Sequence, residues 1–122
     1  MYEVCVSSTF SAAHILNDHP GPCSHLHGHN WNVEAFFAKE ELNSLGMVID
    51  FAEVTVELER IVSKVDHKLL NEVPPFDTEN PTAENIARWI YEDLEKNLGV
   101  TPTKVTVHET EKSSASYYRL SV

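Results

Sequence analysis

The chain has 122 residues, 42% of them hydrophobic, and a formal net charge of -10. That length and apolar content suit a single domain over residues 1–122, and the acidic balance argues against a nucleic-acid backbone or an anionic membrane as partner. No run approaches the ~18 apolar residues of a membrane span, and the alternating start MYEVCVSSTF does not read as a signal peptide. With only two cysteines there is no disulfide framework, so a reducing, cytoplasmic setting is expected.

Tyr2, Val4 and Val6 alternate with Glu3 and Cys5, which predicts a first strand over residues 2–13. Residues 15–26 carry Asn17-Asp18 and Pro20-Gly21-Pro22 without a period, the mark of a long loop. From His29 to Ala38, Trp31, Val33, Ala35 and Phe37 share one face of a second strand, and a short extended piece is expected at Val48-Ile49. Asp50 offers an N-cap, with Glu53 as its capping-box partner. Phe51, Val54, Leu58, Ile61, Val62 and Val65 then recur at helical spacing, so a helix is predicted over 51–65. Pro74-Pro75 breaks the chain. Thr82 caps a second helix whose stripe is Ile86, Ile90, Leu94 and Leu98 and whose stop is Gly99. Two further strands are predicted at 104–110 and 115–122, joined near Lys112-Ser113-Ser114. The order β-β-α-α-β-β predicts an α+β fold, a four-stranded antiparallel sheet with both helices on one face. Trp31, Phe36, Phe37, Tyr117 and Tyr118 place apolar groups on both faces of their strands, which predicts a partner over the second face and hence a homo-oligomer.

The stretch CSHLHGH, from Cys23 to His29, gathers three histidines and a thiol. Residues i and i+2 of an extended chain point the same way, so His27 and His29 can converge, and Gly28 between them permits close approach. His14 ends the first strand, and a hairpin returns the other two to its level. Three neutral imidazoles around an open position form the pattern of a catalytic zinc. Cys23 can instead fill the fourth place of a structural site, and His19 and His25 are further possible ligands. The same residues also fit a histidine-rich loop without metal. Asp66-His67 offers a carboxylate beside an imidazole, an acid–base device, or simply a helix end that favours cations. Glu109 is either a solvent-facing carboxylate or a bidentate acceptor for a guanidine-like edge.

Phe10-Ser11-Ala12-Ala13-His14, Cys23-x-x-x-His27-Gly28-His29, Val48-Ile49-Asp50-Phe51, Asp66-His67, Asn80-Pro81-Thr82-Ala83-Glu84 and His108-Glu109-Thr110 occur in this order. Together they resemble the 6-pyruvoyl-tetrahydropterin synthase family, and within it the bacterial 6-carboxytetrahydropterin synthases of queuosine biosynthesis, over about Phe10 to Arg119. The resemblance implies the tunnelling fold, or T-fold, with subunits joined as trimers that stack into hexamers and with active sites between subunits. It implies zinc on His14, His27 and His29, Cys23 as general base, and Asp66 and His67 as a second acid–base pair from across the interface. It also implies Glu109 as the grip on the pterin ring, with Thr82 and Thr110 nearby. The implied reaction is that of a lyase taking 7,8-dihydroneopterin triphosphate to 6-carboxy-5,6,7,8-tetrahydropterin, acetaldehyde and triphosphate. Sibling lyase activities, pyruvoyl-tetrahydropterin formation or aldol cleavage of dihydroneopterin, are alternatives, as is a non-enzymatic zinc-binding module. Three residues separate Cys23 from His27, where animal relatives have a longer gap, and Ile49-Asp50-Phe51 is similar to the queuosine branch. Two positions depart from it: His25 stands where relatives often have Arg, and Glu111-Lys112-Ser113 replaces a Cys-containing segment. Lys39, Lys68, Lys112 and Arg119 are the candidate cations for the triphosphate.

Overall fold

A computed structural model describes residues 1–22 and 25–120. Strands β1 (Tyr2–His14) and β2 (His27–Lys39) form a long antiparallel hairpin, followed by helix α1 (Phe51–Ser63), a two-residue strand β3 (Lys68–Leu69), helix α2 (Ala83–Leu98) and the hairpin β4 (Lys104–Thr110) and β5 (Ser113–Tyr117). The sheet order is β3-β1-β2-β4-β5. The four predicted strands are antiparallel as expected, and β3 adds a fifth, pairing parallel to β1 through Ala12–Lys68 and Ala13–Leu69. Two residues are too few to show a period, so no alternation marks this strand among the residues.

Local chemistry accounts for the helix ends. The Asp50 carboxylate accepts from Ala52 N–H at 2.9 Å and Thr82 Oγ1 accepts from Asn85 N–H at 3.1 Å. Gly99 stops α2 in the left-handed region at φ 68°. Helix α1 ends at Ser63, two residues short of the prediction, and a tight turn then tucks Val65 into the core. Val48 and Ile49 are buried in bends and form no strand, while Phe51, read as core, is 56% exposed. Strand β5 starts at Ser113 and ends at Tyr117, so its turn is Glu111-Lys112; Ser121 and Val122 lie outside the described residues.

Strand alternation divides the sheet. Phe10, Ala12, Trp31, Val33, Ala35, Phe37, Val105 and Val107 point under the helices and meet Val54, Leu58, Ile86, Ile90 and Leu94 in one core. The opposite face corrects the expectation of an aromatic surface. Trp31, Phe37 and Tyr117 all face the helices, and Tyr118 lies beyond β5. Phe36 alone of the five lies on the open face, under the Lys104 ammonium at 4.5 Å. The rest of that face is polar, with Glu34 against His108 at 2.6 Å and Thr106 against Ser116 at 2.7 Å. Aromatic burial is therefore not an argument for a partner on this face.

Candidate metal centre

The β1–β2 register sets His14 directly opposite His27 and Ala12 opposite His29. All three histidines share the helix-covered face and cap the hydrophobic core at one end of the hairpin. His14 is fully buried, edge-on to Trp31 with ring centroids 5.0 Å apart. Gly28 is not demanded by crowding: a Cβ there would meet only Ala12 O, at 3.9 Å.

Backbone carbonyls fix two of the imidazoles. His14 Nδ1 lies 2.8 Å from Pro81 O, and His27 Nδ1 lies 2.8 Å from His25 O. A carbonyl only accepts, so each Nδ1 carries a proton, and it is the Nε2 of each ring that faces the cluster as the atom able to offer a lone pair. Burial pushes both His14 and His29 below the ordinary imidazole value, which keeps them neutral. Glu109 Oε1 lies 2.8 Å from His29 Nε2, 3.6 Å from His14 Nε2 and 3.9 Å from His27 Nε2. Even so, the Nε2 atoms of His14 and His29 are buried without a hydrogen-bond partner among the described residues. A buried imidazole nitrogen without a hydrogen-bond partner is costly unless a cation takes it, and at His14, whose Nδ1 faces the Pro81 carbonyl, Nε2 is the atom placed to bind one. Ligand atoms of His14, His27, His29 and Glu109 all lie within 4.8 Å of one another, so the group fits a metal ion.

Glu109 reaches this centre from an irregularity in β4. Its neighbours His108 and Thr110 pair with Ser114 and Ser113, which leaves Glu109 as the extra residue of a bulge. Its carboxylate faces the imidazoles rather than open solvent. The alternation Val105, Val107, Glu109 carried that information, since it puts all three on the covered face.

The second pair stands apart. Asp66 Oδ1 accepts from Ser11 N–H at 2.9 Å and lies 3.0 Å from His67 Nδ1. The Ser11 N–H, with His67, holds the Asp66 carboxyl below the usual carboxylate range. His67 has φ 59°, a left-handed backbone, and donates its N–H to Ser11 O at 2.6 Å. Its side chain is 81% exposed. His67 and Lys68 line a shallow cavity of about 470 Å³ with Ser11, Gly28, His29 and Asn30. Thr82 is the α2 cap, and Thr110 Oγ1 accepts from Lys112 N–H in the β4–β5 turn. His19 Nδ1 turns back to Gly21 N–H at 3.0 Å. Cys23 lies outside the described residues.

A family model described as 6-pyruvoyl tetrahydropterin synthase matches residues 3–120. The chain belongs to that family. A 6-carboxy-5,6,7,8-tetrahydropterin synthase of Synechocystis sp. is 35% identical over 123 residues, covering 97% of this chain and 94% of that protein. A dihydroneopterin monophosphate aldolase of Pyrococcus furiosus is 35% identical over 96 residues, covering 79% of this chain and 77% of that protein. The structure of Caenorhabditis elegans 6-pyruvoyl tetrahydropterin synthase matches with a TM-score of 0.89 at 29% identity, covering 98% of this chain and 96% of that one. The T-fold expected from the motifs is thus met, with β3 as an addition, and so is membership of a family of lyase enzymes.

Proposed function

We propose that the chain is a zinc-dependent lyase that converts 7,8-dihydroneopterin triphosphate to 6-carboxy-5,6,7,8-tetrahydropterin, acetaldehyde and triphosphate, in the service of queuosine biosynthesis. The observation that carries this reading is the convergence of three imidazoles, two with buried Nε2 atoms that lack a hydrogen-bond partner among the described residues, in a chain 35% identical to a protein of that name. His14, His27 and His29 would hold the ion. Bound there, zinc supplies Lewis-acid polarisation of the hydroxyls on the substrate side chain.

The chain's own groups then have separate tasks. Cys23, four residues before His27 in the sequence, is assigned the general-base role, which a thiolate can fill. His67, oriented by Asp66, returns a proton elsewhere on the side chain. Its exposed ring suits delivery into the cleft of a neighbouring subunit, which supports a homo-oligomer, a hexamer of two stacked trimers. Glu109 accepts from the pterin's guanidine-like edge, with Thr82 and Thr110 as neighbours.

Of the four cations considered for the triphosphate, Lys68 is best placed, because it shares a cavity with His67 and His29. Arg119 is engaged by both Glu95 oxygens, at 3.0 and 2.8 Å. Lys39 ends β2, about 40 Å along the strand from His27 at the usual rise. No described helix is long and apolar enough to cross a membrane, and a cytoplasmic setting is part of the proposal.

The likeness to the Pyrococcus furiosus aldolase favours a second reading, cleavage of the dihydroneopterin side chain without formation of a carboxypterin. Mass spectrometry of products from dihydroneopterin triphosphate decides between them. Carboxytetrahydropterin with acetaldehyde and free triphosphate is expected; a hydroxymethyldihydropterin with glycolaldehyde that still carries the triphosphate would transfer the chain to the aldolase reading.

A further inference from the structure

The segment that follows the first metal ligand, His14, is clipped on both sides by asparagine side chains. Asn71 Oδ1 accepts from Ile15 N–H at 2.8 Å, and Asn71 Nδ2 donates to Ile15 O at 2.8 Å. Asn80 repeats the pattern two residues on, accepting from Asn17 N–H at 3.0 Å and donating to Asn17 O at 3.1 Å. Each amide thus supplies the donor and acceptor that a neighbouring strand would supply, at a place where β1 has left the sheet.

Asn80 is itself fixed. Its carbonyl accepts from Thr82 N–H at 2.9 Å and from Asn85 Nδ2 at 2.9 Å. Between Asn80 and Thr82 lies Pro81, whose carbonyl receives His14 Nδ1–H. The other clip leads to the acid–base pair: Asn71 follows Asp66, His67 and β3, and Asp66 and His67 bond Ser11 on the strand that carries His14.

We infer that Asn71 and Asn80 are positioning residues for the metal ligand His14, holding its imidazole at a fixed height and rotation before the metal binds. Neither amide touches the cluster. They act by preventing the chain after His14 from shifting, so that the Pro81 carbonyl and the His14 ring stay in register. Partners outside the first ligand set typically change metal affinity 10–100-fold when removed, and a buried imidazole that must be re-oriented at each binding event forfeits the advantage of preorganisation.

The inference rests on the reading of the triad as a zinc site, and the test separates the two. Asn71→Ala and Asn80→Ala are each compared with wild type and with Asn97→Ala. Asn97 Nδ2 also donates to a backbone carbonyl, that of Asp93, at the far end of α2. Alanine leaves the charge near the cation unchanged. Zinc affinity of the apo-proteins is read by competition with a chromophoric chelator, and stability by urea unfolding of the same samples. The expected result is 10–100-fold weaker zinc binding in Asn71→Ala and Asn80→Ala, and wild-type affinity in Asn97→Ala. Should Asn71→Ala fail to fold, Asn80→Ala carries the test, because its amide bonds are solvent-exposed. Wild-type affinity in the folded clip variants, or an equal loss in Asn97→Ala, overturns the positioning role. Absence of zinc binding by the wild-type protein overturns the metal reading itself, and the clip with it.

Discussion

His14 lies on β1 and His67 bonds to Ser11 of the same strand, yet their environments are opposites. His14 is fully buried, its Nδ1 held by a backbone carbonyl and its Nε2 without a hydrogen-bond partner among the described residues. His67 is 81% exposed and stands on a left-handed backbone, with a carboxylate at its Nδ1. The first environment keeps an imidazole neutral and stationary, which a metal ligand needs. The second leaves an imidazole accessible and beside a counter-charge, which proton transfer needs. The same residue type thus stands in two environments, each suited to the task proposed for it.

The largest effects should come from the groups proposed to move protons. His67→Ala and Cys23→Ala are each expected to lose 10²–10⁴-fold in turnover while retaining zinc, measured by single-turnover kinetics with metal analysis on the same samples. Loss of zinc from Cys23→Ala would move the thiol into the ligand set. Glu109→Ala tests which side of the comparison the carboxylate belongs to. Three imidazoles already suffice to hold zinc, so the variant should keep the metal and lose the charge-assisted bonds to the pterin, ~1.5–3 kcal/mol each. Calorimetric pterin titration reads the loss; zinc loss with intact pterin binding would make Glu109 a ligand.

A smaller effect concerns strain. His67→Gly suits φ 59° and should unfold at the same or a higher urea concentration than wild type while turnover falls. Earlier unfolding would mean that the His67 side chain stabilises the fold. The smallest effect lies remote from both histidines. Burial raises the Asp93 carboxyl, but Arg60 at 2.9 Å and Lys64 at 3.1 Å outweigh it and leave the group below its ordinary value. A carboxyl with a lowered folded value stabilises fully above its unfolded pKa and loses that contribution as pH falls through the folded one. The stability gap between wild type and Asp93→Asn should therefore close on acidification, with zinc binding near neutral pH unchanged.

Much of this was legible in the residues. Alternation in β1 and β2, the caps Asp50 and Thr82, and the stop at Gly99 are local signals, and each is realised. The hairpin that sets His14 opposite His27 follows from two strands of equal length joined by one loop. What escaped depends on partners distant in sequence. The parallel pairing of β3 is a tertiary event, and the Pro81 carbonyl on His14 joins residues 67 positions apart. The side chosen by Phe36 and Phe37 was readable from strand parity. Adjacent aromatic residues concealed it, and the open face proved polar.

Zinc content per chain in the purified wild-type protein and in His27→Ala, measured side by side, tests the central assignment most directly. The His25 carbonyl holds His27 Nδ1, and removing the ring leaves two imidazoles in the cluster. One zinc per chain is expected in wild type, with strong loss in the variant. Full occupancy in His27→Ala, or a wild-type protein that binds no zinc, would contradict it.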